Sequence, residues 1–144
     1  MALKVELKPG ERFILGDCVI TNDNQRTRLF IEGDAPILRE KDILTPETAD
    51  TPARRIYLAV QLMYLQREDR RNQDLYLELV SDVLRAAPST RPYIDAINNR
   101  ILTGSLYQAL REARRLIAYE GELLGHANSG ASLRPDATED GESA

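Results

Sequence analysis

The side chains that could do chemistry in this 144-residue chain are mostly arginines, which supply 16 of its 19 basic residues. A guanidinium is a planar fork of donors, better matched to phosphates, carboxylates and base edges than the point charge of lysine. Three arginine groups stand out. Arg26, Arg28 and Phe30 alternate with Thr27, Leu29 and Ile31, and on a strand a period of two puts the first set on one face and the second on the other. Two guanidiniums and a ring in a row offer what unstacked RNA bases use for stacking. Lys8 and Arg12 extend that face if they stand on the neighbouring strand. The same alternation also describes the solvated outer face of any small sheet. Arg67, Arg70 and Arg71 fall where the periodicity ends a helix, and cations there meet the negative end of its dipole. Arg111, Arg114 and Arg115 lie on one face of a later helix with only Glu112 near them in sequence, so partner binding and plain solvation are both open.

Other chemistry is missing. His126 is the only histidine and falls in a stretch whose composition predicts a tail. A Ser/His/Asp or Cys/His site has no base to use, and histidine metal sites fail for the same reason. The carboxylates are scattered among arginines, and Gly10, Gly16 and Gly33 are too dispersed to cradle a phosphate. The expectation is no enzyme, no metal and no cofactor. Cys18 is the sole cysteine, which excludes an intramolecular disulfide; within the apolar run Cys18–Thr21 it reads as a small buried hydrophobe. The charged alternation at the start is unlike a signal peptide, and no apolar run approaches the roughly 18 residues of a membrane span. A cytoplasmic protein without a membrane partner is expected. The formal net charge is −4, of which residues 125–144 carry −3 through Arg134 against Asp136, Glu139, Asp140 and Glu142. The remainder is close to neutral, so any contact with RNA must be local.

The elements that would position these groups come in a fixed order. Leu3, Val5 and Leu7 alternate with Lys4, Glu6 and Lys8. The runs Phe13–Leu15 and Cys18–Thr21 are fenced by Pro9-Gly10, Gly16-Asp17 and Asn22-Asp23-Asn24, which spells short strands joined by tight turns. A further short strand fits Ile37–Leu44. At Thr45–Pro52 the period changes from two to about 3.6, and Thr51-Pro52 supplies an N-cap and a first helical residue. Ile56, Ala59, Val60 and Met63 with Leu58, Leu62 and Leu65 predict a helix buried over more than half its circumference. A second centres on Leu75–Leu84, a third runs from Pro92 to Gly104, and Ser105 caps a fourth. The six tyrosines, Tyr57, Tyr64, Tyr76, Tyr93, Tyr107 and Tyr119, all fall in this half and read mainly as structural. The fold class expected is α+β: a small antiparallel β unit over 1–45, a linker over 46–54, a bundle of about four helices over 55–124, and a disordered acidic tail over 125–144.

The ordered set Leu7-Lys8-Pro9-Gly10-Glu11-Arg12-Phe13-Ile14-Leu15-Gly16, Val19-Ile20-Thr21-Asn22, Leu38–Leu44, Pro52–Tyr57 and Gln61–Leu65 resembles the flagellum biosynthesis repressor FlbT family of α-proteobacteria, over roughly residues 1–124. The resemblance implies a post-transcriptional regulator that associates with the 5′ untranslated leader of flagellin mRNA and hastens its decay when flagellar assembly is incomplete. It transfers no RNA-contacting residue. Lys8, Arg12, Arg26, Arg28 and Phe30 are therefore the RNA candidates on the strand-face argument alone, with Arg111, Arg114 and Arg115 as partner candidates. The alternative is an adaptor whose helical half binds a flagellar regulatory or flagellin-related protein. Open sheet edges also leave a homodimer open.

Overall fold

The alternating residues at the start of the chain fold as two small antiparallel sheets. In the computed structural model, which describes residues 2–66 and 69–132 and of 126–132 the backbone alone, β1 (Ala2–Leu7) pairs with β4 (Thr27–Glu32), setting Val5 opposite Leu29 and Glu6 opposite Arg28. The second sheet has the order β3-β2-β5, from β2 (Arg12–Leu15), β3 (Cys18–Thr21) and β5 (Ile37–Arg39). Leu15 stands opposite Cys18, so the β2–β3 loop is only Gly16-Asp17. Such a loop needs positive φ, and Gly16 has φ 63°. Side chains of both sheets meet in one small cluster around buried Val5, Leu7 and Phe13, with Leu29, Ile31 and Ile37 against them.

A 3-10 turn (Glu40–Asp42) leads towards four helices: α1 (Pro52–Leu65), α2 (Arg70–Ala86), α3 (Arg91–Leu102) and α4 (Leu106–Ser132). The α+β order expected from the sequence is the order observed. The N-terminus of α1 is held twice: Thr51 Oγ1 accepts from Arg54 N–H, and Glu120 Oε2 of α4 accepts from Ala53 N–H at 2.9 Å. Eight of the 14 residues of α1 are buried, as its double stripe predicts. It lies against α2 and α4, while α3 lies against α4, and Ile56, Val60, Ile94, Ile97 and Leu116 are at most 1 % exposed. β5 joins the two halves by its period of two, because Ile37 enters the β cluster and Leu38 the helical one.

Two readings are corrected. Arg70 and Arg71 do not end α1; they open α2, where Asp69 accepts from Arg71 N–H at 3.0 Å and pairs with its guanidinium at 3.1 Å. Asp69 is an N-cap that breaks the chain between two helices, and its carboxylate offsets two cations at the positive end of the dipole. Arg67 lies outside the described residues. Cys18 is exposed, because β3 is the outer strand of its sheet and only Ile20 of that strand turns towards the cluster. By its backbone α4 extends to Ser132, overlapping the first residues of the stretch read as the tail. Residues 133–144 of that tail lie outside the described residues.

Candidate nucleic-acid interface

On the β1–β4 ribbon the buried face takes Val5 and Leu7, and the outer face takes the residues that alternate with them. Arg28 and Phe30 share that outer face with Glu6 and Lys4, which stand directly opposite them on β1. Phe30 is 67 % exposed. Glu6 lies between the two cations, with Oε2 3.5 Å from Arg28 Nε and 3.7 Å from Lys4 Nζ, so the charge of the ribbon is largely balanced on its own surface. Arg26 precedes β4 and is exposed. It shares a depression of about 600 Å³ with Lys8, beside Glu6, Glu11 and Arg39. Lys8 N–H donates to Glu11 Oε1 at 2.8 Å. That bond, with Arg39 nearby, holds the Glu11 carboxyl below its usual value.

Arg12 does not join this face. β2 has both edges occupied, by β3 and β5, so β4 pairs with β1 alone and Arg12 stands opposite Thr21 on the other sheet. Its N–H donates to Glu40 Oε1 at 2.7 Å. The predicted row is therefore three residues on or beside one ribbon, Arg26, Arg28 and Phe30, with Lys8 at its margin.

The arginines of α4 occupy a different place. Where α1 meets β5 and the chain after it, its residues at helical spacing form a polar seam. Tyr57 O–H donates to Asp42 C=O at 2.6 Å, Gln61 bonds both the N–H and the C=O of Leu44 at 2.9 and 3.0 Å, and Tyr64 O–H does the same for Ile37 at 3.1 Å each way. Arg114 reaches across from α4 to this seam. Its guanidinium pairs with the buried carboxylate of Asp42, donates to Tyr57 Oη at 3.4 Å and lies 6.0 Å from the centre of that ring. The Asp42 bond holds Arg114 charged still more firmly than usual, and burial pushes the Tyr57 phenol up. Arg114 is thus a tie between α4 and the 3-10 turn, and its expected freedom for a partner is reduced accordingly.

Beside this tie runs a groove of about 900 Å³. Six cations line it: Arg39 of β5, Lys41 of the turn, Arg100 of α3, and Arg111, Arg114 and Arg115 of α4. Its carboxylates are two, Asp42 and Glu112, and both are engaged, Asp42 by Arg114 and Glu112 by Arg100 and Arg115 at 3.6 Å each. Lys41 and Arg111 are exposed and have no carboxylate partner among the described residues. Tyr57 and Tyr107 add ring surface. Sequence reasoning found the α4 arginines and missed Arg39, Lys41 and Arg100, because the set assembles from two distant stretches of the chain, β5 with the turn and α3 with α4. Among the described residues no cluster of His, Cys, Asp and Glu could hold a metal ion, and no helix is long and apolar enough to cross a membrane. His126 belongs to α4 by its backbone, and its side chain lies outside the described residues.

The sequence profile of the family described as "Flagellar protein FlbT" matches residues 3–124, which takes in the ribbon, the seam and the groove. The chain belongs to the FlbT family. Its relatives in that family include a "Probable flagellum biosynthesis repressor protein FlbT 1" of Bradyrhizobium diazoefficiens, 60 % identical over 87 % of this chain and 86 % of the relative. The FlbT of Caulobacter vibrioides, named "Flagellum biosynthesis repressor protein FlbT", is 39 % identical over 95 % of this chain and 99 % of its own length. A FlbT relative of Rhodopseudomonas palustris is 59 % identical over 86 % of this chain and 98 % of its own. No solved structure matches. Relatives named as repressors of flagellum biosynthesis are consistent with a regulatory role.

Proposed function

We propose that this chain is a cytoplasmic post-transcriptional repressor of flagellin synthesis, which associates with the 5′ untranslated leader of flagellin mRNA and promotes its degradation. The observation that carries the reading, beside membership of the FlbT family, is the exposed Phe30 ring on a ribbon face shared with Arg28 and Lys4. A large apolar ring held out in water between cations is a surface on which a splayed base stacks, and one such stack contributes roughly 1–3 kcal/mol. Arg26 and Arg28 would position the strand through its phosphates while the ring engages the base.

Binding of the purified chain to a flagellin leader transcript, titrated against salt, tests this. Direct binding weakens steeply as salt rises through counterion release. Phe30→Ala should weaken leader binding by roughly 1–3 kcal/mol with the circular dichroism spectrum unchanged, and the Arg26→Ala/Arg28→Ala pair should reduce the salt dependence. Wild-type binding that ignores both changes would remove the ribbon from the reading.

The second reading is an adaptor that acts on mRNA only through a protein partner of the helical half. Leu77 of α2 and Leu102 at the end of α3 favour it, being 61 % and 83 % exposed where a solvated helix would place polar residues. An interface built on them would persist at high salt, and the leader transcript alone would then show no binding.

A further inference from the structure

We infer that the groove between the Glu40–Asp42 turn and α4 holds the sugar–phosphate backbone of single-stranded RNA, and that it forms one cationic track with the Lys8–Arg26 depression beside the ribbon. The inference rests on the reading that the chain binds RNA, and it adds phosphate contacts outside the ribbon to those of Arg26 and Arg28. Three observations carry it.

The charge is concentrated where the rest of the chain gives none away. Residues 1–124 are close to neutral, and the ribbon cancels its own cations through Glu6. The groove sets six cations against two carboxylates, and with Arg39 paired to Glu11 at 3.6 Å there remains an excess that a polyanion neutralises. The cations also converge from β5, the turn, α3 and α4. That convergence is a property of the tertiary fold, whereas a solvated helix face would keep its arginines on one element. Finally, the groove and the depression adjoin: Arg39 and Lys41 line both, the one with Arg111 and Arg115, the other with Lys8 and Arg26 beside Glu6, Glu11 and Glu40. A strand laid along α4 therefore reaches the margin of the ribbon on which Phe30 stands. The track grips phosphates without regard to sequence, and the Phe30 ring on the neighbouring ribbon takes a base. An acidic protein segment would be served by the cations, but it would have no use for the exposed Phe30 ring on the ribbon beside the depression, which is why RNA is the occupant we assign.

Within the groove the roles divide. Arg114 is a positioning residue, tied to Asp42 and Tyr57, and Arg100 and Arg115 are bridged by Glu112. Lys41 and Arg111 are the cations available to meet phosphates directly, and neither change at these exposed sites removes a hydrogen bond of the fold.

The test is fluorescence anisotropy of the full chain with a labelled flagellin leader transcript and with a scrambled RNA of the same length, each across a range of salt. Lys41→Gln/Arg111→Gln should weaken both RNAs alike, by roughly tenfold at low salt, and should make the slope of log affinity against log salt shallower by about 0.7 for each of the two phosphates lost. The charge-keeping Lys41→Arg/Arg111→Lys should restore the slope. Phe30→Ala should instead reduce the preference for the leader over the scrambled RNA and leave the slope unchanged. Leader binding whose slope is the same in wild type and in Lys41→Gln/Arg111→Gln overturns the groove assignment alone. Wild-type protein that binds neither RNA, or binds them without salt dependence, overturns the RNA reading and the groove with it, in favour of a protein occupant.

Discussion

Around α1 the buried cluster draws on all four helices and on Leu38, whereas the five strands bury outright only Val5, Leu7 and Phe13 in a cluster of their own. A two-stranded ribbon and a three-stranded sheet with so little interior are marginal by themselves. The β half gains its position from the seam along α1, where Tyr57, Gln61 and Tyr64 satisfy backbone groups of β5 and of the chain after it. The difference teaches a division of labour. The helical half supplies the stability, and the β half, relieved of that task, is free to leave charged and aromatic side chains outside.

Truncation in the helical cluster should break this comparison most severely. Ile56 is fully buried in α1, and Ile56→Ala should lower the stability of the whole chain by about 2–5 kcal/mol, read from urea unfolding by circular dichroism. A cost near zero would mean that α1 is not the centre of the structure. The seam comes next. In Tyr64→Phe the N–H and C=O of Ile37 lose their shared partner, and the expected cost is about 1–3 kcal/mol. Hydrogen exchange should locate it: the amides of β5 should exchange faster, while those of α3 and α4 keep their protection. Equal loss of protection in both halves would show the seam to be inseparable from the helical core.

The smallest effect is a pH dependence in the β half. The carboxyl of Glu11 is held below its usual value of 4.5 by Lys8 N–H, and then by Arg39. A group whose pKa is depressed on folding adds stability that is present above its unfolded value and lost as the pH falls through its folded one. Wild type should therefore exceed Glu11→Gln in stability at neutral pH, and the gap should close on acidification below about 4.5. A gap that does not change with pH would assign the difference to shape rather than charge.

The strands were legible because each carries its own local signal: the alternation of Leu3, Val5 and Leu7, the Gly16-Asp17 turn, the Leu29 and Ile31 pair. The start of α1 was legible for the same reason, since Thr51 and Pro52 perform a cap that depends on nothing distant. Arg70 and Arg71 misled because a basic run at a helix boundary fits the end of one helix or the start of the next, and Asp69 decides only through a bond made in three dimensions. Arg12 and Cys18 were misplaced because the spacing of residues gives strands but not their neighbours. β4 could have paired with β2, and β3 could have lain inside. The groove was the least legible feature. Arg39, Lys41 and Arg100 sit within unremarkable polar stretches and gain meaning only when the Asp42–Arg114 pair brings α4 onto the turn.

The exposed position of Cys18 has a practical side. The only thiol of the chain stands on the outer strand of the β half, away from the helical cluster, so a maleimide dye or a spin label attaches at one defined point without any engineered cysteine. The natural sequence thus carries its own attachment point for a spectroscopic probe, placed in the half whose movements upon ligand capture would be the most informative to follow.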